Sequence, residues 1–342
     1  MKIAINGFGR IGRIFFRQAF GAPEIEIVAI NDLGSGESLA YLLKYDTVYG
    51  KYDKDVSFQN GNLIVAGKSI KVFQEKDPAK LPWGELGIDV VVESTGVFET
   101  TEKAKAHLDA GAKRVVLTAA GKDESMPIAT PNVHMENLQK GKITSNASCT
   151  TNAVNPVVAI LNQSIGIKKA LLNTVHAYTA TQNLVDGPDK SSTGSDQGKG
   201  DFRRGRAAGQ NIVPSTTNAA KATTRVITEL EGKFDGVAIR IPIVSGSLID
   251  LTFIASRPTT VEEINNIFKN AAANLGWKDI IEVTEEPLVS SDILGNPHGA
   301  IVDLSLTKVV DGDLVKVFAW YDNEWGYCAM LLKHVLEASK YL

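Results

Sequence analysis

MKIAINGFGRIGR, residues 1–13, decides the fold. Lys2 to Asn6 has the apolar pattern of a buried strand, Gly7, Gly9 and Gly12 follow it, and a helical pattern runs from about Ile11 to Phe20. Each glycine answers a separate need. Gly7 allows a tight turn, Gly9 lets backbone amides approach an anion, and Gly12 lets the helix pack on the strand. A helix beginning there aims its unpaired amides and the positive end of its dipole at the turn, which suits a pyrophosphate. A second strand, Glu26 to Asn31, completes a βαβ unit and leads into Asp32, twenty residues after Gly12, where a carboxylate can accept ribose hydroxyls. A 2′-phosphate there would meet like charge, so the pattern predicts NAD rather than NADP.

Working outward, apolar runs at Asp89 to Glu93 and Lys113 to Leu117 bracket a helical stretch, Glu102 to Ala110. They predict an α/β N-terminal Rossmann domain with a doubly wound, mostly parallel sheet. Beyond about residue 170, Leu171 to His176, Gly236 to Ile241, Leu248 to Ala255 and Leu314 to Tyr321 read as longer or alternating strands, with a helix at Val261 to Asn274. This texture predicts a second domain of α+β type with a mixed sheet. A length of 342 residues agrees with two domains. SSTGSDQGKG, Ser191 to Gly200, has little to bury and reads as a mobile surface loop.

Composition narrows the function classes. Lys plus Arg is 36 against 39 for Asp plus Glu, a net charge of -3, which argues against nucleic acid as the main partner. The absence of a signal-peptide pattern and of any bilayer-length apolar run predicts a cytoplasmic protein without a membrane partner. Cys149 and Cys328 are the only cysteines, too few for a disulfide framework and without metal-ligand spacing, so no metal is expected.

Cys149 lies in SNASCTTNAVNPVVAIL, where polar residues precede an apolar helical run. A thiol at a helix N-terminus is expected to have a lowered pKa and to act as a nucleophile. Cys328, within a terminal amphipathic helix, reads instead as an inert buried cysteine. His176 closes the strand LLNTVH and can serve as a proton partner to a nearby thiol, or as a structural histidine; spacing alone leaves both open. His107, His134, His298 and His334 have no comparable setting and read as structural.

Six blocks in order, INGFGRIGR, SNASCTTN, HAYTATQ, FRRGRAA, PSTTNAAKA and WYDNEWGY, together closely resemble phosphorylating glyceraldehyde-3-phosphate dehydrogenases. The resemblance implies an NAD-binding Rossmann domain over residues 1–148, completed by a C-terminal helix over 324–342, and a catalytic domain over 149–323. It implies a homotetramer, with glyceraldehyde 3-phosphate and inorganic phosphate as reactants. Cys149 would carry the acyl group and His176 would move protons. Gly7, Gly9, Arg10, Ile11, Gly12, Asp32, Thr118 and Asn323 would hold NAD. Thr179, Thr181 and Arg240 resemble the family's site for the substrate phosphate; Ser148, Thr150, Arg204 and Thr217 resemble its site for the attacking phosphate. Arginine suits such sites because its fork donates parallel hydrogen bonds to phosphate oxygens. Erythrose-4-phosphate dehydrogenase is the nearest alternative, and the Thr179 and Thr181 pair favours the triose-phosphate enzyme. Two departures stand out. Ala153 occupies a position where many relatives carry a second cysteine, and Asn218 one that is commonly glycine, which bears on the shape of the attacking-phosphate site.

Overall fold

The computed structural model describes residues 1–189 and 201–342, so the Ser191 to Gly200 loop lies outside the described residues. The chain divides into two compact units, Met1–Ser148 with Cys328–Leu342, and Cys149–Tyr327.

The first unit opens with β1 (Lys2–Asn6), α1 (Arg10–Ala19), β2 (Glu26–Asn31) and α2 (Gly36–Lys44). A small ribbon, β3 (Tyr45–Asp46) and β4 (Gly50–Lys51), precedes β5 (Val56–Gln59), β6 (Asn62–Val65) and β7 (Lys68–Phe73). Then come α3 (Trp83–Leu86), β8 (Val90–Glu93), α4 (Thr101–Asp109), β9 (Arg114–Leu117) and β10 (Ile143–Ser145). Among the described residues they form an eight-stranded sheet in the order β10-β9-β8-β1-β2-β7-β6-β5. Strands β10 to β7 in that order run parallel. All four residues of both β8 and β9 are buried, as covering both faces of a parallel sheet requires. The antiparallel extension through β6 and β5 is not expected from the sequence reading; Gly61 and Gly67, both at positive φ, turn these short hairpins. Because the chain leaves β1 first towards β2 and later returns to β8 on its other side, the carboxyl ends of β1 and β8 flank a topological switch point.

The second unit holds α5 (Cys149–Ser164), β11 (Ile167–Ala177), β12 (Val213–Thr216), α6 (Ala219–Thr224), β13 (Phe234–Ile241) and β14 (Ser247–Ala255). It continues with α7 (Val261–Ala273), β15 (Ile281–Thr284), β16 (Ala300–Val310) and β17 (Leu314–Tyr321); α8 (Trp325–Ala338) begins here, and the units divide after Tyr327. Among the described residues its sheet has the order β12-β13-β11-β14-β17-β16-β15. Two pairs, β11 with β13 and β15 with β16, are parallel and the rest antiparallel, which is the mixed sheet expected. Strand β14 alternates buried and half-buried residues over its whole length because α5, α6 and α7 pack on one face of the sheet.

Candidate active site

At the cofactor end the three glycines do different work. A Cβ on Gly7, whose φ is +91°, would lie 2.7 Å from the carbonyl carbon of Ser94 and from the nitrogen of Thr95; one on Gly12 would meet the Gly7 carbonyl oxygen. A Cβ on Gly9 would meet nothing within 4 Å, so this turn is closed on the protein side and open where a pyrophosphate would approach. Gly9 also caps α1 without a side chain that would compete for its first amides. These features fit a dinucleotide.

Asp32 is not simply waiting for a ribose. One carboxylate oxygen accepts from the Phe8 amide at 2.7 Å and the other from the Gly34 amide at 2.8 Å, tying the end of β2 to the glycine turn. A carboxylate has lone pairs for further donors. Arg10 and Ile11 begin α1, and the Arg10 guanidinium is held 2.5 Å from Asp46, whose other oxygen accepts from the Val48 and Tyr49 amides. Thr118 lines a cavity of about 250 Å³ together with Glu93, Thr95, Gly96 and Phe98, at the ends of β8 and β9.

At the reacting end, Cys149 is the first residue of α5 and is half-buried, with its sulfur 3.4 Å from Nε2 of His176. His176 is the penultimate residue of β11, and the parallel register with β13 sets it beside Arg240. The other ring nitrogen, Nδ1, lies 2.7 Å from the Ala177 carbonyl oxygen and 2.5 Å from Nη1 of Arg240; Arg240 also donates to that carbonyl at 3.0 Å. The Thr150 hydroxyl is 2.9 Å from that of Tyr321, which is equally far from the Thr174 hydroxyl. The Tyr321 ring meets the His176 imidazole edge to face.

The electrostatics correct one expectation. The helix N-terminus was expected to lower the Cys149 pKa, yet burial pushes the thiol up; the Arg240 guanidinium and the hydrogen bonds from Thr150 only offset this in part. Burial, then the neighbouring Arg240 charge, lowers His176 to about 3. Both effects favour a neutral thiol beside a neutral imidazole; in the tautomer that donates Nδ1–H to the Ala177 carbonyl, Nε2 can accept a proton.

The second unit also holds the other polar side chains singled out in the sequence. The Thr179 and Thr181 hydroxyls are 2.8 Å apart. Arg204 donates to the Ser215 hydroxyl at 2.9 Å and lies 3.5 Å from Asp201, so its fork is oriented in advance. Thr217 accepts from the Ala219 amide at the start of α6. The Asn323 carbonyl oxygen accepts from the Ser247 hydroxyl at 2.8 Å and the Gly246 amide at 3.1 Å, fixing which end of its amide carries the donors. Ser148 ends the first segment of the first unit, one residue before Cys149.

Residues 1–101 match the family profile described as the NAD binding domain of glyceraldehyde 3-phosphate dehydrogenase, and residues 148–323 match its C-terminal domain. The chain belongs to the glyceraldehyde-3-phosphate dehydrogenase family. It is 46% identical to glyceraldehyde-3-phosphate dehydrogenase 2 of Bacillus subtilis (strain 168), over all of this chain and 98% of that protein. It is 47% identical to the enzyme of Mycolicibacterium smegmatis, over 100% and 99% of the two chains. Identity to the Streptomyces coelicolor enzyme is 46%, over 97% and 96%.

Within this family framework, three side chains stand out that motif reading passed over. Tyr321 and Ser247 brace Thr150 and Asn323, and Asp46 holds Arg10. Tyr321 lay within the quoted WYDNEWGY block, but a strand pattern cannot say which hydroxyls it will meet. Of the departures, Ala153 is fully buried in α5. Asn218 has a negative φ of -92° and caps α6 without a side-chain hydrogen bond, so its backbone does not require glycine and the Thr217 hydroxyl supplies the local contact.

Proposed function

We propose that this chain is an NAD-dependent phosphorylating glyceraldehyde-3-phosphate dehydrogenase that converts D-glyceraldehyde 3-phosphate and inorganic phosphate to 1,3-bisphosphoglycerate. The observation that carries this reading is the 3.4 Å approach of the Cys149 sulfur to Nε2 of His176, with Arg240 on the far side of the ring. In the reading, Met1–Ser148 with Cys328–Leu342 binds NAD through Gly7, Gly9, Arg10, Ile11, Gly12, Asp32 and Thr118, while Cys149–Tyr327 carries the chemistry and supplies Asn323 for the nicotinamide amide.

As the sulfur bonds to the aldehyde carbon, the thiol proton passes to Nε2 of His176 and on to the carbonyl oxygen, giving a neutral hemithioacetal. NAD, when bound, accepts the hydride. His176 takes the hydroxyl proton as the C–H electron pair leaves, and a thioester on Cys149 results. An oxygen of inorganic phosphate, held by Ser148, Thr150, Arg204 and Thr217, attacks the thioester carbon and expels the Cys149 thiolate. Thr179, Thr181 and Arg240 would hold the substrate phosphate. Its negative charge would offset the Arg240 charge that depresses His176, making the base stronger when substrate is present.

A steady-state NAD reduction assay with glyceraldehyde 3-phosphate tests this. Turnover should require phosphate or arsenate; undiminished turnover without either would exclude the mechanism. Faster turnover of erythrose 4-phosphate would reassign the substrate. A homotetrameric assembly and a cytoplasmic location belong to the same proposal; among the described residues no helix is long and apolar enough to cross a membrane.

A further inference from the structure

Beneath the glycine turn, a set of buried polar side chains takes no part in the chemistry above. Trp83, His107, Glu93 and Asn6 are each at most 4% exposed. The Trp83 indole N–H lies 3.1 Å from Nδ1 of His107. An indole nitrogen can only donate, so Nδ1 must present its lone pair and the proton of the neutral ring sits on Nε2. That Nε2 lies 3.0 Å from one Glu93 carboxylate oxygen, which also accepts from the Asn6 amide at 2.5 Å. The second Glu93 oxygen accepts from both the amide and the hydroxyl of Thr95, and the Thr95 oxygen accepts in turn from the Val97 amide. Donors thus converge on Glu93 from both sides, an arrangement that only an acceptor at both ends can satisfy.

The segment held this way faces two places that matter for the cofactor. The Ser94–Thr95 peptide is the surface against which Gly7 packs, since a Cβ on Gly7 would lie 2.7 Å from it. The same segment, Ser94 to Gly96, lines the cavity that contains Thr118. We propose that Trp83, His107 and Glu93 form a one-directional hydrogen-bond relay that holds the Ser94 to Gly96 wall of the dinucleotide cleft, making all three positioning residues for NAD. The proposal rests on the NAD reading given above and deepens it. Its direction is set at the far end: because Trp83 offers only a donor, His107 cannot shift its proton to Nδ1, and Glu93 must accept.

That constraint yields a specific test. Glu93→Gln places an NH₂ group against donors whichever way the amide turns. With Trp83 present, His107 cannot relieve its share of the conflict by changing tautomer; with Trp83→Phe it can, leaving only the Asn6 amide, fixed by Asn31, opposed. Glu93→Gln should weaken NAD binding about tenfold by calorimetry on otherwise wild-type protein, and less than about threefold in the Trp83→Phe background, the scale of one unsatisfied buried polar group. In all variants KM for the aldehyde should stay within about twofold, whereas general damage to the fold would move both substrates together. Equal losses in both backgrounds, or unchanged NAD affinity in Glu93→Gln, would overturn the relay. Nitrogen chemical shifts of His107 in ¹⁵N-histidine-labelled wild-type protein read the tautomer without any substitution: Nε2–H supports the relay and Nδ1–H overturns it. Wild-type protein that fails to bind NAD would instead remove the functional reading itself.

Discussion

The two candidate sites, one in each unit, are built from different materials. At the cofactor end the decisive groups belong to the backbone: two glycines removed from steric conflict, a third left open, and the first amides of α1. At the reacting end the decisive groups are side chains from separate elements, Cys149 on α5, His176 on β11, Arg240 on β13 and Tyr321 on β17. A backbone site is written into one short stretch of chain; a side-chain site exists only where the sheet brings distant residues together. The difference also shows in burial. Desolvation dominates the proton chemistry of Cys149 and His176, while Gly7, Phe8 and Gly9 of the turn carry no titratable side chain.

The strongest way to break this contrast is Cys149→Ala. Dehydrogenase turnover should fall at least about 10⁴-fold, while NAD binding measured by calorimetry stays within about twofold of wild type. Retained turnover would show that the reacting end does not depend on that side chain.

A second test uses acid. His176 in one unit is lowered to about 3 and His334 in the other to about 4, both chiefly by burial. Their unfolded-state value is about 6.5, so the unfolded chain binds more protons below that pH. Their stabilisation is therefore present above pH 6.5 and lost as pH falls towards the folded values, at up to about 1.4 kcal/mol per pH unit for each group. Denaturant titrations from pH 7 to about pH 3 should show this loss, continuing below about pH 4 only for the unit with His176. Stability that is flat across the window would contradict the neutral burial of both rings.

The smallest effect is expected at Asp32. Asp32→Ala leaves the Phe8 and Gly34 amides without their carboxylate partner and should cost about 1–3 kcal/mol of stability. It should also erode the preference for NAD over NADP, measured as the ratio of kcat/KM values. Unchanged selectivity would remove Asp32 from cofactor choice and leave it a brace for the turn.

Legibility in the sequence followed the same division. Strand β1, helix α1 and strand β2 stand where hydrophobic period and glycine spacing place them, within a residue or so. The hairpin extension through β5 and β6 was missed because short half-buried strands give weak periodicity. His107 was read as structural, and only the indole nitrogen across from its ring suggests a further role.

The sequence by itself determined the dinucleotide turn, the two-domain chemistry of an α/β and a mixed sheet, and, through six motif blocks, the family. These are properties of residue type and local spacing, and each can be read within about twenty residues of chain. Tertiary structure decided the rest. Nothing in the local pattern of β11 says that its penultimate residue will lie against Arg240, because that follows from the parallel register with a strand more than sixty residues later. Nor could the helix start at Cys149 reveal that burial would outweigh its dipole, since the cost of desolvating a charge depends on everything packed around it.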